Sequence, residues 1–184
     1  MYSQKGSAAV NDEKLIRQIK SGDTDALNAL IQQHYDDVYT YCYRRLGNRH
    51  DAQDVTQDVF FHFCRNFDAY SQTGKLKNYL YVIAHNLCIN AMQKNAPISV
   101  EDVEEKMSSN DDASEEKIET DDSVQAALNE LPQDQKEVII LRFYHDLKLR
   151  EIAQIMNSRL SATKYRLGQG LKTLSKLLSK EDWL

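Results

Sequence analysis

The sequence predicts an all-helical protein made of two small domains joined by an acidic linker. Its 184 residues include only two prolines and six glycines, and no stretch alternates apolar and polar residues as a half-buried strand would. Apolar side chains instead recur at three- and four-residue steps, the spacing that lines one face of an α-helix. Between the two helical halves, a polar stretch rich in acidic residues predicts a linker without a core of its own.

Two helices are predicted before residue 48. Asn11 is expected to cap the first, which ends at Gly22, because asparagine favours the N-cap and glycine favours the left-handed turn after a helix. Thr24 is expected to cap the second, which closes at Gly47. The predicted inward residues of these two helices are Leu15, Ile16, Ile19, Leu27, Leu30, Ile31, Val38 and Cys42.

Two further helices complete the N-terminal domain, which is predicted to span residues 11–94. Asp51 is expected to cap the third helix, which turns Val55, Val59 and Phe63 inward. A loop of small and polar residues follows at 68–77, and the fourth helix runs from about residue 76 to 94.

The segment 95–122 is the predicted linker. It holds 2 basic and 11 acidic residues, so it accounts for the chain's net charge of −5, while the segments on either side are net positive. Because it has almost no large apolar residues to offset the entropy of ordering, we interpret it as a flexible, solvated tether. A second interpretation is that this acidic tether imitates DNA and lies in a basic channel of a partner.

A helix-turn-helix is predicted in the C-terminal domain, residues 123–180. Pro132 suits the first turn of a helix, and shorter and longer helices follow at about 147–156 and 160–178. Ala153 is the small residue that lets the longer helix cross the shorter one closely, and Asn157 is expected to take the left-handed backbone of the turn. The predicted inner stripe of the longer helix is Leu160, Leu167, Leu171, Leu174 and Leu178.

The outer face of the longer helix has the side chains that bind DNA. No Asp or Glu occurs between Ile152 and Lys180, so this region has a positive local field although the whole chain is acidic. Arg, Lys and Gln reach phosphates and base edges in the major groove, and Ser or Ala allows close approach. The alternative is an ordinary helical hairpin with a basic, solvated face. The predicted DNA-binding residues are Arg159, Ser161, Ala162, Lys164, Tyr165, Arg166, Gln169 and Lys172.

Composition and motifs argue against several other classes of protein. No run approaches the roughly 18–20 apolar residues of a membrane helix, and the N-terminus lacks the apolar core of a signal peptide. Cys42, Cys64 and Cys88 are odd in number and widely spaced, so we expect reduced packing residues and a cytoplasmic protein, with neither a disulfide frame nor a zinc site. No nucleotide loop, metal-ligand cluster or nucleophile–base pattern indicates an enzyme or a cofactor.

Several short motifs, in their order and spacing, resemble the bacterial sigma factors of the extracytoplasmic-function (ECF) group of the sigma-70 family. The resemblance covers about residues 24–94 and 124–178. Its motifs are HYDDVY at 34–39, DAQDVTQDVF at 51–60, NYLYVIAHNL at 78–87, LP at 131–132, VIILRF at 138–143, EIA at 151–153 and KYRL at 164–167. It implies a sigma-2-like four-helix domain, a sigma-4-like helix-turn-helix domain, and the role of an alternative sigma factor that directs core RNA polymerase to promoters.

The resemblance also implies roles for individual residues. The third helix would dock on the clamp helices of the polymerase β′ subunit, and the helix-turn-helix would read the −35 element. The loop and fourth helix would open and read the −10 element, where aromatic platforms offset the cost of unstacking bases. Further expected partners are the polymerase β flap and an anti-sigma factor. The docking residues would be Asp51, Asp54, Gln57, Asp58 and Phe61, and the −10 residues would be Lys75, Lys77, Asn78, Tyr79, Tyr81, His85, Asn86 and Asn90.

The chain departs from the family pattern at three places. Tyr79 stands where the family often has tryptophan, residues 90–94 are less basic than usual, and residues 168–170 replace a His/Arg-rich continuation. Two other functions stay open. One is a helix-turn-helix regulator that never joins polymerase, and the other is a co-sigma or sequestration factor that binds protein. A plain regulator has no need of the docking helix at 51–60.

Overall fold

The computed structural model describes residues 5–71, 74–95 and 119–178, and the regular elements within these ranges are all helical, as predicted. None of the described helices is long and apolar enough to cross a membrane. Residues 96–118, most of the predicted acidic linker, lie outside the described residues. The elements are α1 Lys5–Lys20, α2 Thr24–Leu46, α3 Arg49–Arg65, a 3-10 turn Phe67–Ala69, α4 Leu76–Asn95, α5 Glu119–Asn129, α6 Gln133–Ile139, a π-helical turn Ile140–Tyr144, α7 Leu149–Ile155 and α8 Leu160–Leu177.

The predicted helix ends in the N-terminal half are confirmed, whereas the predicted caps are wrong. Gly22 and Gly47 take left-handed backbone angles, with φ of 94° and 80°. The first helix begins at Lys5, so Asn11 lies inside α1, where its side chain donates to Gln33 Oε1 at 2.7 Å.

Two other predicted caps are displaced by a neighbouring polar residue. Asp23, not Thr24, caps α2 by accepting the amides of Asp25 and Ala26. Likewise Asn48, not Asp51, caps α3, because Asn48 Oδ1 accepts the amide of Asp51 at 2.8 Å. In both cases two residues that favour the N-cap stand close together, and the sequence alone does not decide between them.

Helix α5 is missing from the sequence prediction. It begins at Glu119, so the last residues assigned to the linker are helical. Its buried Ala127 and Leu128 pack against Leu131, Ile139 and Leu174 in a small apolar cluster among α5, α6 and α8. The apolar face of α5 is narrow, and it is buried only because two later helices cover it.

The helix-turn-helix is formed by α7 and α8, as predicted. Ala153 is buried at the crossing, and Asn157 has a φ of 45°, the left-handed conformation expected of it. The turn is closed by the amide of Ser158, which donates to the carbonyl of Ala153 at 2.8 Å. The Ser158 and Thr163 hydroxyls lie 2.9 Å apart and tie the turn to the start of α8.

The two glycines of α8 have different surroundings. A Cβ placed on Gly170 would lie 2.7 Å from Ile139 Cδ1 and 3.3 Å from Gln135 Cβ, whereas a Cβ on Gly168 would meet nothing within 4 Å. Gly170 is therefore the point where α8 crosses α6 closely. Gly168 faces open space, so the packing of α8 does not require a glycine at this position.

We expect opposite effects when these glycines are replaced. Gly168→Ala should raise the free energy of unfolding by about 1 kcal/mol, because alanine is the better helix former. Gly170→Val should lower it by about 1–3 kcal/mol, because the added methyl groups collide with α6. Urea unfolding followed by circular dichroism measures both changes. A stabilising Gly170→Val would contradict the close crossing.

The two helical halves pack against each other. Buried side chains of α2, α3 and α4 form one continuous apolar cluster with α6, the π-helical turn and α7. The C-terminal members of this cluster are Val138, Ile140, Leu141, Leu147, Ile152, Ile155 and Met156. The division into domains at 11–94 and 123–180 stays a prediction, and in this structure the two halves share a core.

Candidate functional site

The residues predicted to dock on polymerase lie along the exposed side of α3. Asp54, Gln57 and Asp58 are exposed, Asp51 is half-buried, and the Phe61 ring is 65% exposed. A groove of about 500 Å³ separates α3 from α4, with the carboxylates of Asp51, Asp54 and Asp58 on one wall. An apolar ring beside several carboxylates makes this a chemically distinct surface rather than a uniformly solvated helix face.

An aromatic cluster underlies the loop that precedes α4. The Phe63 ring centroid lies 5.4 Å from that of Phe67, 6.0 Å from Tyr70 and 6.3 Å from Tyr79, and Tyr70 and Tyr79 are 4.9 Å apart. These contacts tie the 3-10 turn to both α3 and α4. Tyr79, a predicted −10 residue, is half-buried in this cluster, which the sequence did not reveal because its members come from three elements.

The predicted −10 residues do not share one exposed face. Lys75, Asn86 and Asn90 are exposed, while Lys77, Asn78, Tyr79 and His85 are half-buried. Lys77 pairs with Asp37 of α2, and Asn90 lines the groove between α3 and α4. The interpretation of Tyr81 as a DNA contact does not hold in this arrangement, because its side chain is fully buried. The helical period of α4 turns Tyr81 toward Tyr41 and the C-terminal half.

Four predicted −10 residues are bonded to the C-terminal half. Lys75 Nζ lies 2.9 Å and Asn78 Nδ2 lies 3.2 Å from Glu151 Oε1. The Tyr81 hydroxyl is 2.7 Å from His145 Nδ1, and His85 Nδ1 is 2.7 Å from Glu137 Oε1. We call this set the closed contact: Lys75, Asn78, Tyr81 and His85 against Glu137, His145 and Glu151.

Glu137 is the more buried of the two carboxylates in the closed contact, with 2% of its side chain exposed, against 16% for Glu151. It accepts from the hydroxyl of Tyr41 at 2.5 Å and pairs with Arg45 at 3.1 Å, and the Arg45 side chain is itself 2% exposed. Burial alone would raise the pKa of the Glu137 carboxyl, but the hydrogen bond with His85 and the charge of Arg45 hold it below its usual value. The carboxylate is therefore ionised and fully paired.

Lys136, next to Glu137, is a second buried charge between the halves. Its Nζ donates to the carbonyl of Arg45 at 3.0 Å and to Asn129 Oδ1 at 2.8 Å. Burial, together with the nearby charge of Arg45, lowers the pKa of Lys136 to about 8. Sequence reasoning missed both residues. The available signal was a Lys–Glu pair set directly before the apolar run 138–141.

The predicted DNA-reading face of α8 is largely open. Arg159, Ser161, Lys164 and Lys172 are exposed, and Tyr165 is 68% exposed. Ala162, Arg166 and Gln169 are half-buried. Arg166 is not free in this structure, because its guanidinium pairs with Asp134 of α6 at 2.8 Å. Both partners are partly solvated, so this pair contributes little to stability.

An apolar groove of about 260 Å³ lies in the C-terminal half. Phe143 and Tyr144 are 59% and 38% exposed beside it, and α5, α6 and α8 supply its other walls. Sequence reasoning missed this groove because α5 was absent from the prediction. Its lining residues are Val124, Leu128, Ile139, Phe143, Tyr144, Leu171, Leu174 and Leu178.

Comparison with known proteins matches both halves of the chain. The family model for sigma-70 region 2 matches residues 30–98, and the model for sigma-70 region 4 matches residues 121–174. The ECF RNA polymerase sigma factor SigW of Bacillus subtilis (strain 168) is 31% identical over 179 residues, which is 90% of this chain and 96% of that protein.

Two solved structures share the fold. The sigma factor RpoE, in complex with the anti-sigma factor NepR from Bartonella quintana, superimposes with a TM-score of 0.70 at 20% identity, over 82% of this chain and 94% of that one. CnrH, in complex with the cytosolic domain of CnrY, superimposes with a TM-score of 0.66 at 21% identity, over 91% of this chain and 96% of that one.

Proposed function

The chain belongs to the ECF group of the sigma-70 family and is an alternative sigma factor that directs transcription initiation, and on this premise we propose how its surfaces divide that task. The observation that carries the proposal is the presence, in one chain, of an exposed docking helix and a helix-turn-helix with an acid-free outer face. Sigma factors are non-enzymatic initiation factors, so we infer that polymerase supplies all the catalysis and that this chain acts in the cytoplasm.

Core polymerase is bound at two places in this proposal. The exposed side of α3 meets the β′ clamp helices, with Phe61 as an apolar anchor among the carboxylates of Asp54 and Asp58. The apolar groove beside Phe143 receives the β flap, because an amphipathic segment can bury its apolar face there. An anti-sigma factor would hold the chain inactive by covering these surfaces.

Promoter DNA is bound by both halves. α8 enters the major groove of the −35 element, with Arg159, Lys164 and Lys172 on phosphates and Tyr165 and Arg166 near base edges. The loop before α4 and the exposed end of that helix meet the melted −10 element. Arg166 must leave Asp134 to reach DNA, and an exposed ion pair allows this at little cost.

Run-off transcription with purified core polymerase tests the proposed function. We expect promoter-dependent transcripts from the wild-type chain, and a roughly 10- to 100-fold weaker affinity for core in the double variant Asp58→Ala/Phe61→Ala, because both side chains leave the docking surface. Glu13→Ala, which removes an exposed acid from α1, is the control and should bind normally. A wild-type chain that binds promoter DNA but not core polymerase would favour the plain regulator instead.

Arg166→Ala tests the reading of the −35 element. We expect a loss of about 1–3 kcal/mol in affinity for the preferred −35 sequence and a smaller loss on unrelated DNA, because a base contact carries sequence information. Fluorescence anisotropy on the two duplexes measures the difference. Lys172→Ala is the comparison, and it should weaken both equally if Lys172 is a phosphate contact. If Arg166→Ala weakens binding to both duplexes equally, Arg166 contacts phosphates and not a base.

A further inference from the structure

We propose that Gly168 is the point at which the sugar–phosphate backbone of the −35 DNA lies directly against α8, so that the missing side chain positions this helix in the major groove. The inference rests on the proposed role of α8 and deepens it. It concerns a residue that the family pattern does not supply, because residues 168–170 replace the His/Arg-rich continuation of the family.

Neither the packing nor the backbone of α8 requires glycine at position 168. A Cβ there would meet nothing within 4 Å, and the position is exposed. Gly168 lies inside the helix Leu160–Leu177 and does not have the positive φ of Gly22 and Gly47. Glycine is among the poorest helix formers, so it weakens α8 in the free chain. A residue that weakens its own helix without any gain in packing indicates a contact that forms only with a partner.

Gly168 lies at the centre of an exposed cationic stripe. Ser161, Lys164, Gly168 and Lys172 are three or four positions apart, so they share one side of α8, and all four are exposed. Lys164 and Lys172 each lie about one turn, roughly 6 Å along the axis, from Gly168. No residue of α8 is acidic. Two ammonium groups on either side of a gap suit a polyanion, and phosphates are the groups of DNA that lysine side chains contact most readily.

The second glycine makes α8 thin at the same level. Gly170 is two positions farther along, so it faces about 200° away from Gly168 around the helix axis. On that side α6 lies so close that a Cβ on Gly170 would be 2.7 Å from Ile139 Cδ1. The side of Gly168 is open. α8 therefore has bare backbone on two opposite sides, of which one receives α6 and the other is shaped to receive a DNA strand.

The position of Gly168 along α8 favours a strand over a base edge. In helix-turn-helix proteins, the N-terminal residues of the second helix contact the bases. Gly168 is the ninth residue of α8, about 12 Å from the start of the helix, where the helix passes the wall of the groove. Without a Cβ at this point, the strand can lie close enough for Lys164 and Lys172 to reach phosphates on both sides. Because phosphate contacts fix the register of a protein on DNA, Gly168 is a positioning residue.

Gly168→Ala and Gly168→Leu test the contact. Alanine and leucine form helices better than glycine, so both variants should be at least as stable as wild type in urea. The probe is a fluorescein-labelled duplex carrying the −35 sequence that the wild-type protein selects from a random pool. We expect Gly168→Ala to bind it about 3- to 10-fold more weakly, and Gly168→Leu at least about 10-fold more weakly, because the added carbons hold the strand away from α8.

Ser175→Ala is the matched control for helix propensity. It lies at an exposed position of the same helix, two turns beyond Gly168, and it should bind the duplex like wild type. Gly168 variants that are as stable as wild type or more so, and that bind the duplex as tightly as wild type does, would overturn the proposal.

A mutant cycle with the flanking lysines shows which part of the DNA lies at Gly168. If the strand runs between Lys164 and Lys172, Gly168→Leu acts by separating both lysines from their phosphates. In a Lys164→Ala/Lys172→Ala background it should then cost no more than about threefold in affinity, and in the otherwise wild-type chain it should make the dependence of affinity on salt shallower. An undiminished loss in that background, with unchanged salt dependence, would contradict a strand contact.

Failure of this inference can be told apart from failure of the proposed function. If the wild-type chain binds no −35 duplex, the role of α8 fails, and the inference fails with it. If the wild-type chain and both Gly168 variants bind the duplex equally well, only the inference is wrong. If both variants keep their affinity for the duplex but lose affinity for core polymerase, the close contact is with polymerase, and the proposed DNA contact is wrong.

Discussion

Glu137→Ala is expected to lower the free energy of unfolding by about 3–5 kcal/mol, because it breaks a buried ion pair from one side. The guanidinium of Arg45 would stay buried without its carboxylate. The hydroxyl of Tyr41 and the ring of His85 would also lose their acceptor. No single apolar contact at the surface could cause so large a loss.

Urea unfolding followed by circular dichroism measures this change at neutral pH. Asp134→Ala is the matched control, since Asp134 lies on the same helix but its pair with Arg166 is partly solvated, and we expect a change of at most about 1 kcal/mol. Glu137→Gln, which keeps one acceptor, should fall between the two. A Glu137→Ala chain as stable as Asp134→Ala would show that the two halves do not meet around Glu137 in solution.

The buried carboxylate of Glu137 should also make the free energy of unfolding depend on pH. The folded pKa of Glu137 lies below its ordinary value of 4.5, so its contribution to stability is present above that value and is lost as the pH falls through the lower folded pKa. The wild-type chain should therefore lose stability in acid more steeply than Glu137→Gln. Unfolding midpoints in urea at pH 7, 4 and 3 measure the two slopes, and parallel slopes would contradict the pairing.

Phe63→Ala is the second large effect, with an expected loss of about 3–5 kcal/mol in the free energy of unfolding. The ring is fully buried and contacts Phe67, Tyr70 and Tyr79, so its removal leaves a cavity at the centre of the aromatic cluster. The loop before α4 should lose its support with it. We therefore expect weaker opening of the −10 element even at temperatures where the variant is still folded.

Phe61→Ala is the matched control two residues away. Its ring is 65% exposed, so the change in unfolding free energy should stay within about 0.5 kcal/mol. Affinity for core polymerase should fall in Phe61→Ala, whereas Phe63→Ala should chiefly affect stability and opening of the promoter. Thermal unfolding, core binding and permanganate footprinting of the −10 region separate these effects. If Phe61→Ala lowered the free energy of unfolding as much as Phe63→Ala, Phe61 would be a packing residue and not an exposed anchor.

Features that depend on a few adjacent residues could be predicted from the sequence. Gly22, Gly47 and Asn157 take left-handed backbone angles where the pattern indicated that helices must end. Helix starts could not be assigned in this way, because two candidate caps such as Asp23 and Thr24 compete within one turn. The choice between them depends on packing that no local pattern records.

Features that depend on distant residues could not be predicted in this way. The pairing of Arg45 with Glu137 joins positions on opposite sides of the acidic segment. For the same reason the periodicity of α4 could not show that Tyr81 is covered by the C-terminal half. The requirement for glycine at position 170 likewise depends on α6, which crosses α8 at that point.

The closed contact joins two parts of one polypeptide, and this has a consequence for how the protein responds to its own abundance. Surfaces on a single chain meet at an effective concentration that can reach about the millimolar range, whatever the number of molecules in the cell. The fraction of closed molecules therefore does not change when the chain is made in larger amounts. Contacts with a second protein weaken on dilution, whereas the contacts of Glu137 and Glu151 with the N-terminal half of the same chain do not.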